Sequence, residues 1–364
     1  MKNTFGQSVS ATLLGESHGK AIGIVLDGVC PGVLVDEEFI RSQLSRRRPN
    51  GSTDTKRKEM DEYEILSGVF EGKTTGTPLT IVIPNKDTKS GDYQRSIARP
   101  SHADYTAYEK YHGYEDYRGG GHFSGRITAA LVAGGAIAIK MLEGLGIKIG
   151  THILKCAGVS DREFGNVSSD IDALSGLDFP VLSDCKDEMI KKIEEASQDK
   201  DSVGGVLQSA IYGMPAGVGE PWFDSVESIL SHALFSIGGV KGVEFGAGFD
   251  FADMRGSQAN DPFEIIDGKI VTKTNNNGGI NGGISNSMPI LINIAVKPTP
   301  SIAKEQNSVD LSKMENAKLE IKGRHDPCIV RRASVVVDSV LALAICDMLA
   351  LRFGTDVFLK GLDK

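Results

Sequence analysis

Two apolar runs, Ile127–Leu145 and Val335–Leu351, constrain the fold of this chain more than any other feature. Each approaches the length of a membrane span, which takes about 20 unbroken apolar residues. Each is also broken by charge, the first by Lys140 and the second by Asp338 and Asp347. Ionisable groups at the centre of a bilayer are costly, so both runs are expected as buried core helices. The first is rich in alanine and glycine, which lets other elements pack very close to it.

Strand patterns fill the intervals. Phe5–Leu14, Ile22–Leu26, Glu64–Phe70, Leu79–Pro84, Lys148–Gly158, Val203–Gly213, Val240–Phe249 and Met288–Val296 read as strands bounded by turn residues. Asp36 heads a short helix with acids in its first turn and arginines in its last, stopped at Pro49. Ser183–Gln198 reads as a covering surface helix. Asp224, with Glu227 three residues on, predicts the start of a helix running to Phe235. Asn275–Asn286 is too rich in asparagine and glycine for regular structure and suits backbone wrapped against a flat or phosphorylated ligand.

The chemistry concentrates between Arg99 and Arg126, a span dense in histidine, tyrosine and arginine with three consecutive glycines at 119–121. Disorder goes with few aromatics, so the span reads as an ordered loop and short helix over a cleft. Its glycines precede a helix start, where free N–H groups favour an anion. A second candidate is Gly15–Gly19, which sets Glu16, Ser17 and His18 on a tight turn between two strands. Arg46, Arg47 and Arg48 form either a solvated helix end or an anion clamp, for which guanidinium forks are suited. Near the end, Arg324, His325 and Asp326 precede Pro327, where the backbone is extended or turning.

A net charge of −8 argues against a general nucleic-acid binder. Five scattered cysteines without a CxxC pair fit reduced thiols and give no metal signature. The first residues lack the layout of a signal peptide, so a cytoplasmic protein without membrane partners is expected. From the residues alone, an FMN- or nucleotide-dependent oxidoreductase and a non-catalytic anion-binding protein both stand.

Seven motifs occur in order along the chain: GESHG at 15–19, RRRP at 46–49, RPSHADYT at 99–106, DYRGGG at 116–121, NGGISN at 281–286, KPTPS at 297–301 and GRHDPC at 323–328. Together they resemble the chorismate synthase family from end to end. The resemblance implies an α+β fold: residues 1–364 as a single domain, a βαβ sandwich with helices held between antiparallel sheets, assembled as a homotetramer. It implies a 1,4-elimination of phosphate from 5-enolpyruvylshikimate 3-phosphate to give chorismate. Reduced FMN is needed without net redox change, and NADPH is a candidate reductant.

By the same resemblance, His18 protonates the departing phosphate and His102 supplies or holds a proton on the reduced flavin. Asp326, with Ser17, helps remove the ring proton. Flavin contacts fall on His122, Phe123, Ser124, Gly238, Gly239, Gly282, Lys297, Pro298, Thr299, Pro300, Ser301 and Arg324. Arg47, Arg48, Arg118 and Arg126, with Arg324, are the candidates for substrate or NADPH anions. Many family members carry Arg-Ser-Ser where this chain has His122, Phe123 and Ser124, so a backbone contact to the flavin is expected there.

Overall fold

The computed structural model describes residues 2–51, 53–54, 60–86, 95–321 and 326–361. In chain order the helices are α1 (Glu37–Arg47), α2 (Asp104–Tyr111), α3 (Thr128–Gly144), α4 (Val167–Leu174), α5 (Lys186–Gln198), α6 (Val226–Phe235), α7 (Gly256–Ala259) and α8 (Val330–Phe353). The two apolar runs are α3 and α8, and they pack against each other at the centre.

Each of the two helices also lies against a five-stranded antiparallel sheet. The first sheet has the order Thr4–Phe5, Ser10–Gly15, Ala21–Asp27, Leu79–Pro84, Glu64–Ser67. The second runs Val240–Phe245, Ile290–Val296, Gly205–Tyr212, Lys148–Cys156, Val159–Ser160. α3 covers the middle strands of the first sheet, and α8 covers Lys148–Cys156 and Gly205–Tyr212 of the second. The expected layering of helices between antiparallel sheets is what the chain adopts.

Period-two patterning explains why the sheets face inward. Ile22, Ile24 and Leu26 sit opposite Ile83, Ile81 and Leu79, and all six are buried. Ile290, Ile292 and Ile294 do the same for the second sheet. Burying such a side chain stabilises the fold by roughly 1.5–3 kcal/mol. Two adjacent glycines set the thickness of the sandwich. A Cβ on Gly134 would lie 2.7 Å from Ile24 Cδ1, and one on Gly135 would lie 2.3 Å from Ser339 Cβ. α3 therefore touches sheet and helix at once through backbone that carries no side chain.

The charges that interrupt the apolar runs each have a partner. Asp347, deep in α8, accepts from the backbone amides of Gln7, Ser8 and Val9 at 2.7–3.0 Å. Asp338 receives Arg46 Nη2 at 3.3 Å. Lys140 lies over the Phe39 ring at 4.3 Å and donates to Glu143 at 2.9 Å.

Local expectations were met unevenly. Asp36 caps α1 by accepting from Phe39 N at 2.9 Å, and Arg48 leaves the helix at Pro49. The strand expected over Phe5–Leu14 breaks after Phe5, because the amides of residues 7–9 turn inward to Asp347. α6 is capped by Ser225, which accepts from Ser228 N at 3.1 Å; Asp224 instead closes a short 3-10 turn with Trp222 and Phe223. The strand from Val240 stops at Phe245. Asn275–Asn286 is ordered by Asp261, whose carboxylate accepts from the amides of Asn276 and Asn277, and it carries a small ladder of Ile280–Asn281 with Ile284–Ser285.

Candidate active site

The turn at Glu16–Gly19 joins two neighbouring strands of the first sheet, and four contacts to its backbone and to the residue before it fix it. Asn85 Nδ2 donates to the carbonyls of Glu16 and Gly19 at 2.9 and 3.0 Å. Ser17 N donates to Gly121 O at 3.0 Å, and His122 Nδ1 lies 2.7 Å from Gly15 O. Ser17 is buried, with its Oγ 3.2 Å from His18 Nδ1. The turn is thus bolted to the triple-glycine segment by residues on either side of it.

Gly119, Gly120 and Gly121 have φ of +60°, +84° and +53°, a region that residues with a side chain rarely enter. The space confirms the need. A Cβ on Gly119 would lie 2.1 Å from His18 Cε1, one on Gly120 would lie 3.1 Å from His102 Cε1, and one on Gly121 would lie 2.0 Å from Asp116 O. The segment passes between two imidazoles and touches both.

His102 is held from behind. Its Nδ1 lies 2.8 Å from Asp104 Oδ1, and Asp104 also takes Arg99 through Nε and Nη2, both at 2.7 Å. Burial alone would raise the Asp104 carboxyl, but its hydrogen bonds to Arg99 and His102 hold it well below the usual carboxylate range. An ionised Asp104 fixes the ring and directs proton exchange to Nε2. Lys297 Nζ donates to Ser101 O at 2.6 Å, and Lys297 N donates to Gly239 O at 2.9 Å. Burial, with Lys241 nearby, lowers the Lys297 ammonium. His102, Gly238–Gly239 and the start of KPTPS are therefore neighbours.

Beside His102 opens a cavity of about 520 Å³, lined by Arg95, Arg99, Asp104, Tyr117, Gly120 and Phe123 and closed on one side by Leu311 and Leu319. Leu311 and Leu319 belong to a hairpin, Gln306–Asp310 with Glu315–Leu319, that docks on residues 96–98.

The family model described as chorismate synthase matches residues 9–350. A chorismate synthase of Thermococcus kodakarensis is 46% identical over 356 residues, covering 95% of this chain and 97% of that one. One of Archaeoglobus fulgidus is 46% identical over 358 residues, covering 96% and 98%. A solved structure titled "Crystal Structure of Chorismate Synthase" superposes with a TM-score of 0.77 at 30% identity, covering 98% of this chain and 96% of that one. The chain belongs to the chorismate synthase family. Its reaction is the elimination of phosphate from 5-enolpyruvylshikimate 3-phosphate to give chorismate, a lyase reaction of aromatic biosynthesis that requires reduced flavin.

Seen as a chorismate synthase, the chain gathers most of its expected site residues. Ser17, His18, His102 and His122–Ser124 surround the triple glycine. Phe123 is half exposed and meets the Tyr111 ring edge-on, with centroids 6.1 Å apart, while Ser124 caps the turn Gly125–Ile127. Arg118 forks onto Asp116 at 2.8 Å through Nε and Nη2 and stays partly exposed. Arg47 and Arg126 are buried and converge on the fully buried carboxylate of Asp61. Arg47 further donates to Gly125 O, and Arg126 to Asn85 Oδ1 at 3.0 Å. Arg48 lies at the rim, against Met60 O.

Asp326 is paired with Arg332. Gly282 stands apart from Gly238–Gly239: Gly283 O accepts from Val226 N at the start of α6, whereas the glycine pair follows its end, roughly 15 Å on for ten helical residues. Arg324 lies outside the described residues.

The residues at hand suit a flavin. The cavity is of a size that binds cofactors, with Tyr117 and Phe123 offering flat walls, while Arg95 and Arg99, the latter forked onto Asp104, share the lining with the carboxylates of Asp104, Glu115, Asp116 and Glu320. The buried Thr299 Oγ1 has no hydrogen-bond partner among the described residues. Asp61, Asn85, Asp104 and Arg332 were not anticipated. Only Asp104 had a local signal, lying two residues after His102.

Proposed function

We propose that the elimination runs between the two imidazoles that flank the triple glycine, with His18 and Ser17 on one side and His102 and Asp104 on the other. Carrying this reading is the approach of Gly119 and Gly120 to the two rings, since backbone without a Cβ is required to hold both that close. Reduced FMN, when bound, supplies electron density to the ring as phosphate departs and recovers it as the proton is lost. His102, Thr299, Lys297 and the backbone of His122–Ser124 are the residues that would hold it.

The substrate brings two carboxylates and a phosphate, so arginines must line its path. Arg118 and Arg48, both partly exposed, are placed to meet these anions directly. Arg47 and Arg126 shape the floor from the buried side. His18 protonates the departing phosphate, and Ser17 Oγ at its Nδ1 orients the ring for that task. His102 is left with Nε2 as the nitrogen that exchanges a proton with the site, because its Nδ1–H is directed to the Asp104 carboxylate. Asp326 assists removal of the ring proton.

Anaerobic phosphate release with chemically reduced FMN, followed together with the flavin spectrum, tests this reading in the wild type and in Gly119→Ala. The wild type should release phosphate over many turnovers with the flavin still reduced at the end. Gly119→Ala should bind flavin but lose at least about tenfold in kcat, because displacing His18 by an ångström is costly. An unimpaired Gly119→Ala would sink the two-imidazole reading. Replacing reduced FMN by oxidised FMN and NADPH shows whether the enzyme reduces its own cofactor.

We further read the chain as one catalytic unit that assembles as a cytoplasmic homotetramer. The described cysteines are all free. The hairpin Phe263–Ile266 with Lys269–Thr272 exposes Phe263, Ile265, Ile266 and Ile270, and Trp222, Phe223 and Phe249 are also exposed, as expected of surfaces that meet another copy. Sedimentation should give the mass of four protomers; a monomer at micromolar concentration would refute the assembly.

A further inference from the structure

We infer that Arg332 is the residue that positions Asp326 for the elimination. The inference rests on the part in proton removal given to Asp326 above.

Arg332 opens α8, the most deeply buried helix, so its backbone is anchored before its side chain makes any contact. Its Nη1 lies 2.9 and 2.8 Å from the two carboxylate oxygens of Asp326, and its Nε donates to Arg47 O at 2.8 Å. One planar guanidinium therefore grips the carboxylate and a helix-end carbonyl at once. Two anchors on a rigid plane leave the carboxylate little freedom to swing. The backbone of the same segment is tied as well, because Pro327 O accepts from Val203 N at 2.8 Å.

The neighbouring Arg331 shows what a purely structural arginine does at this place. It donates to Arg46 O and Arg48 O at 3.2 and 2.7 Å, and to the carboxylates of Asp54 and Asp178. Arg331 closes the open carbonyls at the end of α1. Arg332 shares that work through Arg47 O, but it spends its Nη1 on Asp326.

The grip on Arg47 O has a further effect. The Arg47 side chain reaches Asp61, Asp61 meets Arg126, Arg126 Nε donates to Asn85, and Asn85 Nδ2 holds the carbonyls on both sides of Ser17–His18. Arg332 thus references Asp326 to the same polar frame that holds the His18 turn. The proton donor and the carboxylate that assists proton removal are set from one internal scaffold, the arrangement expected where sub-ångström placement governs rate.

The test is a double-mutant cycle on phosphate release with saturating reduced FMN. Arg332→Ala should lower kcat about 10²-fold, with KM for the substrate within about threefold. Added guanidinium ion should restore part of the rate, and Arg332→Lys should retain more activity than the alanine variant. The double variant with Asp326→Asn should be no slower than Asp326→Asn alone, because groups acting as a unit are not additive, and guanidinium should not help it. Multiplying effects, or a raised KM at unchanged kcat, would overturn the positioning role. If Arg332→Ala does not fold, the same cycle with Arg332→Lys decides by the same criterion. Wild-type rates in Asp326→Asn would instead remove Asp326 from the reaction, a separate failure.

Discussion

Alanine in place of His18 should lower kcat for phosphate release about 10³-fold, within the 10²–10⁴ range typical of a positioned proton donor, while leaving the protein folded. Phosphate is a poor leaving group from an allylic carbon, and an imidazole beside it supplies the proton that water cannot deliver in a closed site. The fold should tolerate the change because the turn does not depend on the ring. Asn85 holds both flanking carbonyls, and Ser17 N and His122 Nδ1 complete the frame. Rapid-quench phosphate release beside a thermal melt checks both halves. A variant with the wild-type rate would remove His18 from the chemistry; one that melts far earlier would make it structural.

Asp61→Ala should be the most destabilising single change in the site, costing about 3–5 kcal/mol as expected when one partner of a buried ion network is removed. The Asp61 side chain is wholly buried between Arg47 and Arg126, themselves almost fully buried. Without it, two buried guanidinium charges lose the carboxylate between them and keep, among their hydrogen-bond partners, carbonyls, Asn85 and the Thr128 hydroxyl. Replacing all three groups together, Arg47→Met, Asp61→Leu and Arg126→Met, should recover most of the stability and none of the activity. That contrast separates a network kept for placement from one kept for strength. Urea unfolding read by tryptophan fluorescence and circular dichroism measures both; an unchanged midpoint in Asp61→Ala would refute the first claim.

Features carried by short spacing were legible in the sequence. Asp36 and Pro49 bound α1, and Ile22–Leu26 read as a strand beside the Gly15–Gly19 turn. The histidines of the two turns stood out because glycine, serine and acid surrounded them. Features made by distant pairing were not legible. Nothing near Asp61, Asn85 or Arg332 distinguishes it from an ordinary polar residue, since each acquires its role from partners brought close by packing. The hairpin that closes the cavity escaped notice because its strands, QNSVD and ENAKL, hold few apolar residues and so give no clear period. Asp224 misled because Ser225, one residue later, makes the better cap once Trp222 and Phe223 have turned the chain.

Asp347 carries a consequence for how the protein is made. Its carboxylate closes the amides of Gln7–Val9 across a separation of about 340 residues. At roughly 5–20 residues per second of synthesis, those amides emerge about 20 s to a minute before their partner exists. The first sheet is left without this anchor until α8 has been made, although α3, the helix that covers it, comes much earlier. The tie between the first strands and the core is therefore closed late, by α8, and a message cut short before α8 also leaves Lys148–Cys156 and Gly205–Tyr212 of the second sheet without the helix that covers them.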